Sequence, residues 1–312
     1  MAVTIAANEQ TKITKDFTKV ARDIDASQKI YGKSLTYTQD VIRSLKRNKV
    51  AMVSLFFIIF LIIVAIFGPI IFPDYQKQDL LNMLQPPSAK HPLGTDELGR
   101  DVLTRLIRGT RVSLFIGFAA ETINLVIGVI YGGIAGFSGG KTDNIMMRIV
   151  DVVMSVPQTL VMILMLTVLK RGMGTLILSL TITGWIGLAR IVRGQILSLR
   201  ENEYALAAKA LGASKREILF NHLIPNTVGP IIVNYTMSIP GAIGAEAGMS
   251  YLGLGISVPE ASWGNMLQFG ASQFPSSLWL FFAPAVMFAL AMLAFNLFGD
   301  GLRDALDPKT RR

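Results

Sequence analysis

Few residues in this chain have the chemistry for catalysis. None of the 312 is cysteine, and the two histidines, His91 and His222, are far apart in sequence, so neither a thiolate framework nor a histidine metal cluster is expected. Two carboxylates stand inside long apolar runs. Glu121, followed by Asn124, lies in the stretch 112–137, and Glu246 in the stretch 227–249. Ionisable groups in hydrocarbon are costly and usually face a partner or a water-filled path. A polar line along a pore and internal hydrogen bonding both fit Glu121, Asn124 and Glu246. No nucleophile–base pair accompanies them, so no catalytic site and no metal site is expected. The string Ala135-Gly-Phe-Ser-Gly-Gly-Lys141-Thr142 matches a relaxed phosphate-loop pattern with alanine at its first glycine. A phosphate loop needs a buried strand before it and a helix after it, whereas this one follows an apolar run of helical length. Nucleotide binding there is not expected.

The densest polar signal is the island Glu203–Asn226 between long apolar segments. It reads as two short helices with a corner. Ser198 with Glu201, and Ser214 with Glu217, have the S-x-x-E spacing of a capping box, so each pair marks a helix start. Gly212 stands just before the second start, where a cap with positive φ is cheapest, and Pro225 is expected to end the second helix. Ala205, Ala208 and Gly212 recur at i, i+3 and i+7 and form a flat stripe that invites another surface.

The elements that must hold these residues are membrane helices. The chain is 51% hydrophobic and 16% charged, with a mean hydropathy of +0.48, far too apolar for a soluble domain of this length. Six spans are expected, near 50–72, 112–137, 152–169 (containing Pro157), 174–192, 227–249 (broken by Pro230 and Pro240) and 278–298. The net charge of +9 follows from the positive-inside rule rather than from nucleic acid, for which no aromatic-interleaved basic surface exists. The first 49 residues hold ten Lys or Arg against five Asp or Glu, which places the N-terminus in the cytoplasm. Parity then puts 74–111 outside, the island 198–226 inside beside Arg190, Arg193 and Arg200, and the C-terminus inside. Gly128, Gly132 and Gly136 repeat every four residues and predict close helix packing. No cleavable leader is evident.

Several strings carry a family resemblance. The run Ala207-Ala208-x-x-x-Gly212, with Pro225 thirteen residues beyond the glycine, resembles the EAA loop of bacterial ABC importer permeases. Glu203-Tyr204-x-x-Ala-Ala-x-x-Leu211-Gly-Ala213-Ser214, followed by His222-x-x-Pro-Asn226, is similar to the oligopeptide and dipeptide branch. So are His91-Pro-Leu-Gly-Thr-Asp-x-Leu-Gly-Arg-Asp-Val-Leu103, Ser250-Tyr-Leu-Gly-Leu-Gly-Ile-x-x-Pro259, Ser262-Trp-Gly264 and Asn296-x-x-Gly-Asp-Gly-Leu-Arg-Asp-Ala-Leu-Asp-Pro308. Thr95 or Asp96 in the first of these is expected either to cap a helix or to meet substrate. Leu206 departs from the pattern, standing where the family carries the glutamate of the loop's name. The resemblance covers about residues 40–308.

The resemblance implies an all-α polytopic membrane protein with the ABC type I importer permease fold. It implies a cytoplasmic segment 1–49, a first transmembrane helix with an extracellular segment over 50–111, and a core permease domain over 112–312 with its coupling loop at 198–226. The chain would conduct oligopeptides or dipeptides by alternating access in a bacterial cell membrane, binding no cofactor itself. ATP and Mg would sit on two partner ATPases, alongside a second homologous permease, an extracellular binding protein and membrane lipid. The ATPase-coupling residues would be Glu203, Tyr204, Ala205, Ala207, Ala208, Leu211, Gly212, Ala213, Ser214, His222 and Pro225. Importers of nickel complexes, glutathione or oligosaccharides are the alternatives within the family, and an ion-coupled secondary transporter is the alternative outside it.

Overall fold

The computed structural model describes residues 36–307, and every regular element among them is helical. The chain divides into residues 1–40, of which only the opening of α1 (Tyr37–Arg47) is described, and a unit that begins at Val41. Residues 1–35 and the ending at Pro308 lie outside the described residues. In the larger unit α2 (Lys49–Ile71), α3 (Val102–Ser138), α6 (Met173–Leu199) and α10 (Leu278–Leu306) are long and apolar enough to cross a membrane. On α2 the phenylalanines and isoleucines Phe56, Phe60, Ile63, Ile66 and Ile70 stand exposed, as a lipid-facing surface requires.

The third expected span is not one helix. α4 (Gly140–Met154) and α5 (Gln158–Val168) meet at 70°, because Pro157 has no N–H to give the ladder and its ring displaces the preceding turn. The pair counts as a span only if the two pieces are taken together, which raises four spans to five. α8 (Val228–Tyr251) supplies the remaining long helix. At 1.5 Å per residue its 24 residues reach about 36 Å, with Asn234, Ser238 and Glu246 interrupting its apolar run. Pro240 does not break it as expected, since the helix continues through that residue.

Helices run past the hydrocarbon-length segments expected of them. α3 begins ten residues early because Asp101 caps it, its carboxylate accepting from the Thr104 N–H (2.8 Å) and hydroxyl (2.7 Å). The α3–α6 pair is the most intimate in the bundle, and the glycine repeat explains it. A Cβ built on Gly128 would lie 3.0 Å from the Trp185 carbonyl oxygen, one on Gly136 2.8 Å from that of Arg193, and one on Gly132 would overlap the Ala189 carbonyl. At each turn of α3 the bare backbone lets α6 approach closer than any side chain permits.

The helices alternate in direction. One end of the bundle carries the start of α2, the ends of α3, α6 and α10, and the 203–226 island. At this end Gly301 of α10 abuts Ala51 of α2. The opposite end carries 72–101 and 252–277, with the short helix α9 (Trp263–Ser272) packed on α10.

Candidate functional site

The island forms two short helices joined by a tight corner. The expected capping box at Ser198–Glu201 does not form. Ser198 lies inside α6, and α7 (Glu203–Ala210) starts behind Asn202, whose side chain makes no cap bond. α6 persists to Leu199 because its polar end is anchored: Arg200 Nη1 donates to the Gly136 carbonyl at 3.1 Å, and Arg193 Nη2 donates to Asp143 at 2.6 Å. Arg190 donates to Asp151 at 2.6 Å. The basic cluster expected at this end therefore also clamps α4 to α6.

The corner itself is as expected. Gly212 has φ +86°, the Ala213 N–H donates to the Ala208 carbonyl (3.0 Å), and the Gly212 N–H donates to that of Lys209 (3.1 Å). These are the two reciprocal bonds of a Schellman cap. Ser214 then caps the next helix by accepting from the Glu217 N–H at 3.2 Å. That helix does not stop at Pro225. It runs from Lys215–Glu217 through a π-helical turn, Ile218–Leu223, into Ile224–Asn226. The wider turn leaves room ahead of a proline ring that an α-helical carbonyl would obstruct.

The alanine stripe faces inward, contrary to its expected role as an open docking strip. Ala205 is 4% exposed, and it packs with partly buried Ala208 and Ala213 on Leu188, Val192, Ile196, Ile218, Leu219 and Leu223. Small side chains there let α7 lie flat on its own bundle. Glu203, Tyr204, Ala207, Leu211, Gly212, Ser214 and Pro225 face outward, while His222 is half-buried. Leu211 is 88% exposed and Leu206 53%. Leu206 thus presents an apolar group where the family pattern has a carboxylate. Sequence spacing had singled out the inward face, although Tyr204, Leu206 and Leu211 mark the outward one.

A second constellation lies mid-bundle. Glu121 and Asn124 of α3 line a cavity of about 70 Å³ together with Gly184, Gly187 and Leu188 of α6 and Asn234, Tyr235 and Ser238 of α8. Asn124 Nδ2 donates to Glu121 Oε1 at 3.1 Å, and the amide lies over bare Gly184. Asn124 is 2% exposed and its Oδ1 has no partner. Sequence reading missed Asn234 and Ser238, although their i, i+4 spacing in an apolar segment is a legible polar stripe.

Glu246 does not join this cavity. It is fully enclosed, accepting from Ser113 Oγ at 2.9 Å and Ser250 Oγ at 2.7 Å. Ser113 Oγ also accepts from the Trp263 N–H at 3.1 Å, and Ser250 Oγ from the Ile256 N–H at 3.2 Å. Glu246 ties α3, α8 and the following loop together.

At this opposite end of the bundle, Asp96 does not cap a helix as expected and is instead buried. It accepts from the N–H groups of Leu98 and Arg100 and from Arg100 Nε at 2.7 Å. Thr95 also caps no helix. Its hydroxyl donates to the Asn82 carbonyl at 2.6 Å and accepts from the Gln85 N–H at 2.8 Å, so this string folds on itself. Arg108 holds Glu260 by two bonds (3.0 and 3.1 Å) and Tyr75 donates to the same carboxylate at 2.9 Å, joining the two long loops. Partial burial pushes the Glu260 carboxyl up, but Arg108 and Tyr75 outweigh it and hold the group below its ordinary value. Burial, then the hydrogen bond to Glu260, pushes the Tyr75 hydroxyl up.

The glycine-rich string 135–142 is a helix–helix corner. Gly139 and Gly140 have φ of +62° and +55°, Lys141 lies in the first turn of α4, and the element directly before it is the helix α3 rather than a strand. Its surroundings are therefore not those of a phosphate loop.

Comparison with known proteins agrees with the fold. Residues 128–312 match the family model described as binding-protein-dependent transport system inner membrane component, and residues 36–87 match the N-terminal TM domain of oligopeptide transport permease C. The dipeptide transport system permease protein DppC of Bacillus subtilis is 52% identical over 89% of this chain and 88% of the relative. The oligopeptide transport system permease protein OppC of the same organism is 48% identical over 95% and 97%, and that of Haemophilus influenzae 41% identical over 95% and 96%. A chain of the MetNI methionine ABC transporter in an inward-facing conformation superposes with a TM-score of 0.54 at 19% identity, covering 65% of this chain and 96% of that one. The helix arrangement is that of an ABC type I importer permease, and the chain belongs to the family of binding-protein-dependent transport system inner membrane components.

Proposed function

We propose that this chain is the membrane-spanning subunit of an ATP-driven importer of oligopeptides or dipeptides, and that the 198–226 corner docks on an ATPase. The observation that carries the docking assignment is the outward face of that corner, where Tyr204, Leu206 and Leu211 stand exposed on a helix pair whose angle is set by the cap at Gly212. Glu203, Ala207, Ser214, His222 and Pro225 frame this face. Ala205, Ala208 and Ala213 support it from behind. The peptide substrate rests on the names of the relatives, and the partners are those that membership of a binding-protein-dependent transport family implies: a second permease, two ATPases that bind ATP and Mg, and an extracellular binding protein. The chain then lies in a bacterial cell membrane with both termini cytoplasmic. It has a cytoplasmic segment 1–49, a first helix with an extracellular segment over 50–111, and a core domain over 112–312. Alternating access follows when closure of the ATPases moves the corner and the glycine-lined α3–α6 pair carries the motion inward.

The test is purification through a tag on this chain, with the neighbouring genes co-expressed, followed by identification of the ligand on the binding protein. Co-elution of two ATPases and recovery of a peptide support the proposal. A nickel complex, glutathione or an oligosaccharide on the binding protein would overturn the substrate. Transport by the chain without an ATPase would replace the mechanism with an ion-coupled one. A cysteine placed at Lys77 that reacts with an impermeant reagent only from inside would reverse the orientation.

A further inference from the structure

The mid-bundle cavity holds a carboxylate with no cation beside it among the described residues. Glu121 lies near the middle of α3, and among the described residues no Lys, Arg or His lines its cavity. A carboxylate at such depth normally has a counter-charge. Asn124 Nδ2 donates to Glu121, and the other end of that amide, Oδ1, is buried and unpaired. An unsatisfied buried acceptor normally marks a water, ion or ligand position. Across the cavity Asn234 and Ser238 of α8 add an amide and a hydroxyl, while Gly184 and Gly187 of α6 contribute no side chain. The cavity is thus rich in acceptors, carries one negative charge and is bounded on one side by bare helix. Its volume of about 70 Å³ is several times the roughly 10–15 Å³ that one water molecule needs on the same measure, so it admits a small charged head.

We propose that this cavity is a transient station for a primary ammonium group, the amino terminus of the transported peptide, with Glu121 as counter-ion and Asn124 Oδ1, Asn234 and Ser238 as further acceptors. This rests on the peptide-import reading above and adds the part of the substrate that the membrane subunit recognises. An ammonium presents three N–H groups, matching a carboxylate, an amide oxygen and a hydroxyl better than any neutral group of that size.

The test uses the whole complex in proteoliposomes, with trialanine and with its analogue in which the terminal amine is replaced by hydroxyl. In Glu121→Gln, trialanine uptake is expected to fall by about ten- to a hundredfold, the range for losing a charged hydrogen bond, while any uptake of the hydroxyl analogue stays at the wild-type level and the ATPases still co-purify. Asn124→Asp, which adds a second negative charge to the cavity, should increase the preference for the amine over the hydroxyl peptide. Equal losses for both peptides would reduce Glu121 to a structural role, and unchanged uptake of both would remove it from the path. Loss that appears only when sodium or potassium is replaced by choline would assign the cavity to an inorganic cation. Each of these results overturns the proposal. If the wild-type complex moves no peptide at all, the import reading fails first, a result distinct from failure at Glu121.

Discussion

Gly212 sets the angle of the corner, and the structure separates two reasons why it is glycine. Its φ of +86° lies in the left-handed region, where an L side chain costs about 1–2 kcal/mol. A Cβ built there meets nothing within 4 Å, so bulk adds no penalty inside this chain. Alanine should therefore cost roughly 1 kcal/mol and valine, stiff at χ1, more. Asparagine, which tolerates this region, should cost little. About 1.4 kcal/mol is a tenfold change in an equilibrium constant, so valine lowers the ratio of native to non-native corner by about an order of magnitude or more. That is small against insertion of the membrane helices. Uptake and ATPase co-purification are thus expected to rank Asn above Ala above Val, with equal amounts of each variant in the membrane. If asparagine were as damaging as valine, space against the partner rather than φ would be limiting. If valine behaved as wild type, the cap would not set the working angle.

Other perturbations test separate parts of the structure. Gly132→Val drives a branched side chain into the Ala189 carbonyl and should cost about 1–3 kcal/mol by overpacking, read as a lower melting temperature in detergent; an unchanged melting temperature would contradict the close α3–α6 approach. Glu260 has a folded value below its ordinary 4.5, so its contribution is present above that ordinary value and is lost as pH falls through the lowered one. Glu260→Gln should accordingly lower stability at neutral pH and flatten the acid limb, and an acid limb identical to wild type would dismiss the Arg108–Glu260 tie. Lys141→Ala should leave nucleotide binding by the complex unchanged, and loss of ATP bound to the isolated chain would restore the phosphate-loop reading of 135–142.

Much of the fold was legible because local rules and global packing agree there. The glycines at 128, 132 and 136 predicted a close helix pair, and α6 lies on them. Ser214 and Gly212 predicted a cap and a corner, and both form. The failures have a common cause, since spacing alone does not say which way a face points or what lies across from it. The Ala205–Ala208 stripe suits a docking surface and a core equally, and the cluster around Leu188 and Leu219 decides for the core. Ser198 has the right neighbour for a cap, but the clamps at Arg193 and Arg200 keep α6 helical past it. Asp96 was a credible cap until Asp101, five residues on, took the role and left Asp96 to Arg100. Glu121 and Glu246 looked alike in sequence. Only the tertiary structure gives one a cavity and the other a ring of hydroxyls.

The π-helical turn at Ile218–Leu223 gives the loop a one-sided tolerance to length. Each residue of an α-helix advances the azimuth by about 100°, and a π turn absorbs one extra residue without advancing the rest. Removing one residue between 218 and 223 would let the turn relax to ordinary α-helix with Tyr204, Leu206 and Leu211 still in phase with α8, whereas adding one more would turn them through roughly 100° relative to the bundle. Across these six positions the corner keeps its direction when it loses a residue and not when it gains one.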